Sequence, residues 1–153
     1  MASKQFTIDE WFYHYLLDET KFQITAKFFV KVLEICDRVC MKDGTPLREK
    51  FFSLDKELSA KSPAGRLVAK TVVKGFISNL EKMEWINEEI EIPEVVTDLP
   101  RKDIYLIKLC MATSDKIFIT TDNKLKGALE KNASTLEIKV HHADDFMKEY
   151  LKQ

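Results

Sequence analysis

Apolar positions along the chain follow two alternating rhythms. Short runs of apolar and β-branched residues stand at Phe6-Thr7-Ile8, at Arg38 to Met41, at Ile117 to Thr120 and at Leu136 to Val140. Runs of this length bounded by turn chemistry predict buried strands. Between them the period lengthens to that of a helix. Trp11 to Leu17 predicts a short helix, and Ile24 to Asp37 a longer one with Phe28, Val32 and Ile35 on one face. Asp43-Gly44 is a turn signal, and Thr45-Pro46 a cap with a first-turn proline, so a helix is expected over Leu47 to Leu58. Ser62-Pro63 repeats that signal before a long amphipathic pattern that runs to about Trp85. Pro100 opens a helix that is apolar on nearly every side through Ala112, which predicts burial. Asn123 to Lys131 and the segment with Phe146, Met147, Tyr150 and Leu151 complete the set. An acidic connection, Glu84 to Asp98, holds Pro93 and one further short edge strand near Ile90 to Ile92.

Strand and helix alternate, which predicts an α/β fold. Its expected form is three layers, with a central, mostly parallel sheet of four or five short strands flanked by helices. Residues 1–153 form one domain, with the helical stretch from about 45 to 86 as an arm on the main body. No internal repeat or low-complexity segment interrupts it.

Composition narrows the function classes. At 153 residues with 45% hydrophobic and 32% charged positions, the chain can bury a core without disulfides or a structural metal. Its net charge of −1 gives no whole-molecule attraction to a polyanion, so nucleic-acid binding would need a local patch. No apolar run reaches the length of a membrane span, and Met1 to Lys4 lacks a signal peptide's apolar core, so the expectation is a cytoplasmic protein without a membrane partner. Cys36, Cys40 and Cys110 fit reduced, mostly buried thiols. Together with His141 and His142 they lack the short spacing of a zinc site.

The chemistry lies in the acids. Asp9 and Asp122 each follow a predicted strand, and Glu49 and Asp103 each lie in the first turn of a helix. In a parallel α/β unit, strand carboxyl ends and the amino ends of the following helices share one edge of the sheet. Four carboxylates are thus expected to converge, and clustered anions repel unless a cation holds them. Hard oxygen ligands select Mg²⁺ or Mn²⁺, and such a site suits phosphodiester hydrolysis.

Asp103-Ile-Tyr-Leu-Ile-Lys-Leu-Cys-Met-Ala, followed by Lys-Ile-Phe-Ile-Thr-Thr-Asp122-Asn-Lys-Leu, resembles the C-terminal half of PIN-domain nucleases. That family has an aspartate opening a buried helix, then an apolar strand ending Thr-x-Asp before a Leu-bearing helix. Ile138 to Val140 with Asp145-Phe146 is similar to its last strand and closing helix. Ile8-Asp9 is similar to its strand-end aspartate, although Glu10-Trp11 replaces the usual Thr/Ser-Asn. The family's second acid, a glutamate after the second strand, matches Glu49, with Glu34 as rival. The resemblance implies a Mg²⁺- or Mn²⁺-dependent endoribonuclease with Asp9, Glu49, Asp103 and Asp122 as catalytic metal ligands. It also implies a single-stranded or structured RNA as substrate. Thr120 or Thr121 would position a carboxylate or contact a phosphate, and Lys102 and Lys124 would hold phosphates. The family includes toxins and RNA-processing nucleases, which adds an antitoxin protein and a homodimer to the candidate partners.

The same residues also have plainer readings. Asp9 and Asp122 suit helix caps, and Asp103 and Glu49 suit the positive end of a helix dipole. The aromatic cluster Trp11 to Tyr15, with Phe51 and Phe52, fits a core. Residues 42–74 carry eight Lys/Arg against four Asp/Glu, which suits a phosphate track or a solvated helix face equally. His14, His141 and His142 have no part in a metal-water mechanism and fit structural or surface positions. Two other functions compete. One is a non-catalytic RNA- or protein-binding module on the same fold. The other is a receiver-like phosphoacceptor domain, which would use Asp9-Glu10 and an aspartate ending the third strand. No glycine-rich phosphate loop or Gly-x-Ser-x-Gly element is present.

Overall fold

Residues 3–153 are described by a computed structural model. Five short strands form one parallel sheet in the order β3-β2-β1-β4-β5. They are β1 (Gln5–Ile8), β2 (Arg38–Met41), β3 (Met83–Trp85), β4 (Ile117–Thr120) and β5 (Lys139–His142). The helices are α1 (Trp11–Leu17), α2 (Phe22–Glu34), α3 (Pro46–Lys61), α4 (Pro63–Val68), α5 (Lys74–Ile77), α6 (Ile104–Met111), α7 (Asn123–Lys131), α8 (Ala133–Leu136) and α9 (Ala143–Leu151). A π-helical turn, Ala69–Val73, joins α4 to α5, and a 3₁₀ turn, Arg101–Asp103, leads into α6.

The alternation of side chains along β1 sorts the layers. Phe6 meets Phe28 of α2 and Phe146 and Tyr150 of α9 on one face. Thr7, buried on the other face, lies on the side of β1 that α6 covers. From Phe6 a chain of aromatic contacts runs through Phe28, Phe29, Phe12 and Phe51 to Phe76, with successive centroids 5.1 to 6.3 Å apart. All six rings are buried. Each contributes about 1.5–3 kcal/mol of apolar burial, so α3 and α5 are bound into the main core. The helices of the expected arm pack on this core, and β3 follows them at the end of that stretch.

Four boundaries differ from the sequence expectation. The amphipathic helix stops at Ile77 rather than Trp85. Asn79 forms a side-chain turn with Glu81 N–H, and Leu80, needed for the apolar face, is 76% exposed. The chain released there supplies β3, which pairs Met83 to Trp85 with Val39 to Met41. The residues near Ile90 to Ile92, next to Pro93, are irregular and form no strand. The last strand begins at Lys139, because Leu136 closes α8 and Glu137 turns left-handed at φ 59°. Helix α2 ends at Glu34, three residues early, which frees Asp37 to accept bonds from Lys4 N–H and the Tyr150 hydroxyl at 2.8 and 2.6 Å. Phe52 is 39% exposed beneath the Arg48 guanidinium at 4.5 Å, so of the Phe51-Phe52 pair only Phe51 is core.

Strand β1 is the switch point of the sheet. The chain leaves it toward β2 on one side, while β4 lies on the other with Ile8 opposite Ile119. Ligands in open α/β sheets bind outside the strand ends at such a point.

Candidate active site

The carboxyl ends of β1 and β4 bring Asp9 and Asp122 to neighbouring positions, and one buried hydroxyl ties them together. Thr120 Oγ1 donates to Asp9 Oδ2 and accepts the Asp122 N–H at 3.0 Å. Thr120 is fully buried, so its rotamer is set by packing. Asp9 Oδ1 accepts the Trp11 N–H at 2.9 Å. The Trp11 indole is buried and donates to the Ile119 carbonyl at 2.9 Å, which pins the start of α1 to the end of β4. Asp122 caps α7: its Oδ1 accepts from Lys124 N–H and Leu125 N–H at 2.9 and 3.1 Å.

Asp103 arrives from the 3₁₀ turn at the head of α6. It stands at the N-cap position with φ −104° and ψ 0°, yet makes no capping bond. Its Oδ2 is buried and has no hydrogen-bond partner among the described residues. The plain dipole reading is thus the one that leaves most unexplained. A buried carboxylate oxygen without a donor costs free energy that nothing in the fold returns.

These three acids line one cleft of about 300 Å³ together with Glu10, His14, Lys102, Tyr105 and Thr121. Burial pushes the Asp9 carboxyl up to about 6, against the hydrogen bonds from Thr120 and Trp11, and the Asp103 and Asp122 charges add to the rise. Burial also raises Asp103, with Asp122 and Glu10 adding and Lys102 opposing. The Tyr105 hydroxyl is pushed up to about 12, first by burial and then by the Glu10, Asp103 and Asp9 charges, against a backbone bond at Leu47. One negative field acts on every titratable group with a resolved shift in the cleft.

The remaining candidates divide. Thr121 and Lys102 face the cleft. Lys124 contributes its backbone N–H to the Asp122 cap, and its side chain is exposed away from the cleft lining. Glu49 does not reach the site. Its side chain is 73% exposed and pairs with Arg48 at 3.2 Å. Helix phase explains this: Leu47, Phe51, Leu54 and Leu58 turn inward, and Glu49, about 200° from Leu47, turns out. Glu34, its rival, is exposed on α2 and borders a different groove beside Val30 and Leu151. The fourth carboxylate is Glu10, which makes no capping bond and faces the cleft. Its position directly after Asp9 was the available signal. His14, one helical turn beyond, has the exposed place among the lining residues that spacing from Glu10 dictates.

The donor set is all oxygen and anionic, the chemistry of Mg²⁺ and Mn²⁺ sites. The unpartnered Asp103 Oδ2 and the raised Asp9 are conditions that a bound cation relieves. Among the described residues, no group of three His, Cys, Asp or Glu side chains is arranged to hold a metal ion. Compared with known proteins, the chain matches no family model, no curated protein and no solved structure. Among the described residues no helix is long and apolar enough to cross a membrane.

Proposed function

We propose that the protein is a metal-dependent endoribonuclease that hydrolyses RNA phosphodiester bonds in this cleft, in the manner of the PIN-like nucleases that residues 103–125 resemble. The observation that carries the proposal is the buried, unpartnered Oδ2 of Asp103 beside a raised Asp9 at the switch point of a parallel sheet. Asp9, Asp103 and Asp122 are the residues that would hold Mg²⁺ or Mn²⁺, with Glu10 taking the place expected for Glu49. When bound, the ion supplies a water acidified toward neutrality and offsets charge on the phosphate.

The chain's own residues do the rest. Thr120 holds Asp9 and the backbone of Asp122 in one register. Glu10, with no capping bond to hold it, is the carboxylate free to take a proton from the attacking water. Lys102 and the Thr121 hydroxyl face the cleft, where they can contact phosphate oxygens. A cytoplasmic location belongs to the same proposal and agrees with the free, buried thiols of Cys40 and Cys110.

The phosphoacceptor alternative lacks its key group, since β3 ends in Trp85 followed by Ile86. The deciding experiment is cleavage of a short single-stranded RNA with Mn²⁺. Wild type is expected to cut it, and Asp122→Asn, which keeps the α7 cap, is expected to lose at least about a hundredfold in rate. Full activity of Asp122→Asn would sink the proposal.

A further inference from the structure

Helix α1 has two sides with different tasks. Trp11, Phe12 and Leu16 turn into the core. That phase leaves Tyr13 half-buried and His14 exposed, at the lip of the acid cleft. The His14 ring meets Tyr13 edge-on with centroids 5.4 Å apart. Helix α3 braces Tyr13 from beyond: Lys50 Nζ sits 4.4 Å from the ring centroid, and Glu57 accepts from the phenol hydroxyl.

Charge around this lip is arranged unevenly. Arg48 is neutralised by Asp43 and Glu49. Lys50 and Lys102 form no ion pair among the described residues: one stands over Tyr13, the other lines the cleft. A cleft lined with four carboxylates repels a phosphate chain, so unpaired cations at its rim are what would let one approach. Braced aromatic rings between separated cations form the platform on which single strands bind, bases on rings and phosphates on cations. A duplex keeps its bases stacked inside and has none to lay on such a platform.

We propose that single-stranded RNA, not duplex, enters the cleft across this lip, with a base stacked on His14, Tyr13 behind it, and flanking phosphates at Lys50 and Lys102. The assignment rests on the nuclease reading above for what happens next, but its binding surface is independently testable.

The test is fluorescence anisotropy with a short labelled RNA of unstructured sequence and a duplex of equal length, in EDTA so that nothing is cut. The single strand is expected to bind at least about tenfold more tightly than the duplex. His14→Ala and Lys50→Ala should each weaken single-strand binding about fivefold or more. Lys56→Ala, on the same helix as Lys50, should bind like wild type. Lys50→Ala should also lower the slope of log affinity against log salt by about 0.7. Circular dichroism melts establish that each variant is folded. Equal affinity for duplex, wild-type binding by both His14→Ala and Lys50→Ala, or no binding by wild type overturns the assignment. If the lip variants lose binding while wild type cuts nothing with Mn²⁺, the lip stands and the nuclease reading falls. If wild type cuts while the lip variants bind normally, the reverse holds.

Discussion

Asp9, Asp103 and Asp122 differ in what else they do, and that difference sorts their mutants. Asp122 has a structural task as the cap of α7, whereas Asp103 makes no capping bond and loses none when replaced. Asp103→Asn is therefore expected to keep its stability within about 1 kcal/mol of wild type while losing cleavage, which urea melts and an RNA assay on the same sample would show. Asp9 adds a pH signature. Its carboxyl titrates near 6 in the folded protein against an ordinary 3.8. Between those values the folded state holds the extra proton, so the Asp9 contribution to stability falls as pH rises through that window and stays low above it. Asp9→Asn has no such loss. Without metal, its stability relative to wild type should improve by about 1–3 kcal/mol between pH 4 and pH 8, as measured by denaturation at both pH values. An unchanged difference would mean that Asp9 ionises freely.

Helix phase and strand ends decided which of these groups meet. The strand-acid-helix order was legible at β1 and β4, because a compact apolar run followed by an acid leaves few alternatives in an α/β chain. It brought Asp9 and Asp122 correctly to one edge of the sheet. Glu49 was misplaced because its role follows from the rotation of α3, which is set by Leu47, Phe51 and Leu54 docking on a core assembled from distant segments. Strand β3 was hidden for a related reason: Met83 and Leu80 continue a helical period, and only the pairing with β2 favours a strand there. Trp11 looked like a departure at the place where a small residue was expected. Its indole instead forms the link between α1 and β4. Trp11→Phe removes that donor from a buried carbonyl and should cost about 1–3 kcal/mol in a urea melt. Because Ile119 precedes Thr120, cleavage should fall with it.

Across the molecule, most of the sequence is spent on holding one sheet edge in place. The aromatic chain from Phe6 to Phe76 fixes α1, α2 and α3 around β1, and β4 carries the opposite wall of the crevice. At that crevice the fold tolerates a raised Asp9, a raised Asp103 and an unpartnered buried oxygen, a local cost that a bound divalent cation would offset. Direct titration of Mn²⁺, following the free ion by electron paramagnetic resonance, tests this most sharply. At neutral pH wild type should show saturable binding that Asp9→Asn and Asp103→Asn each weaken at least about tenfold. Binding of the same strength in an Asp9→Asn/Asp103→Asn/Asp122→Asn triple variant, folded by circular dichroism, would contradict the account.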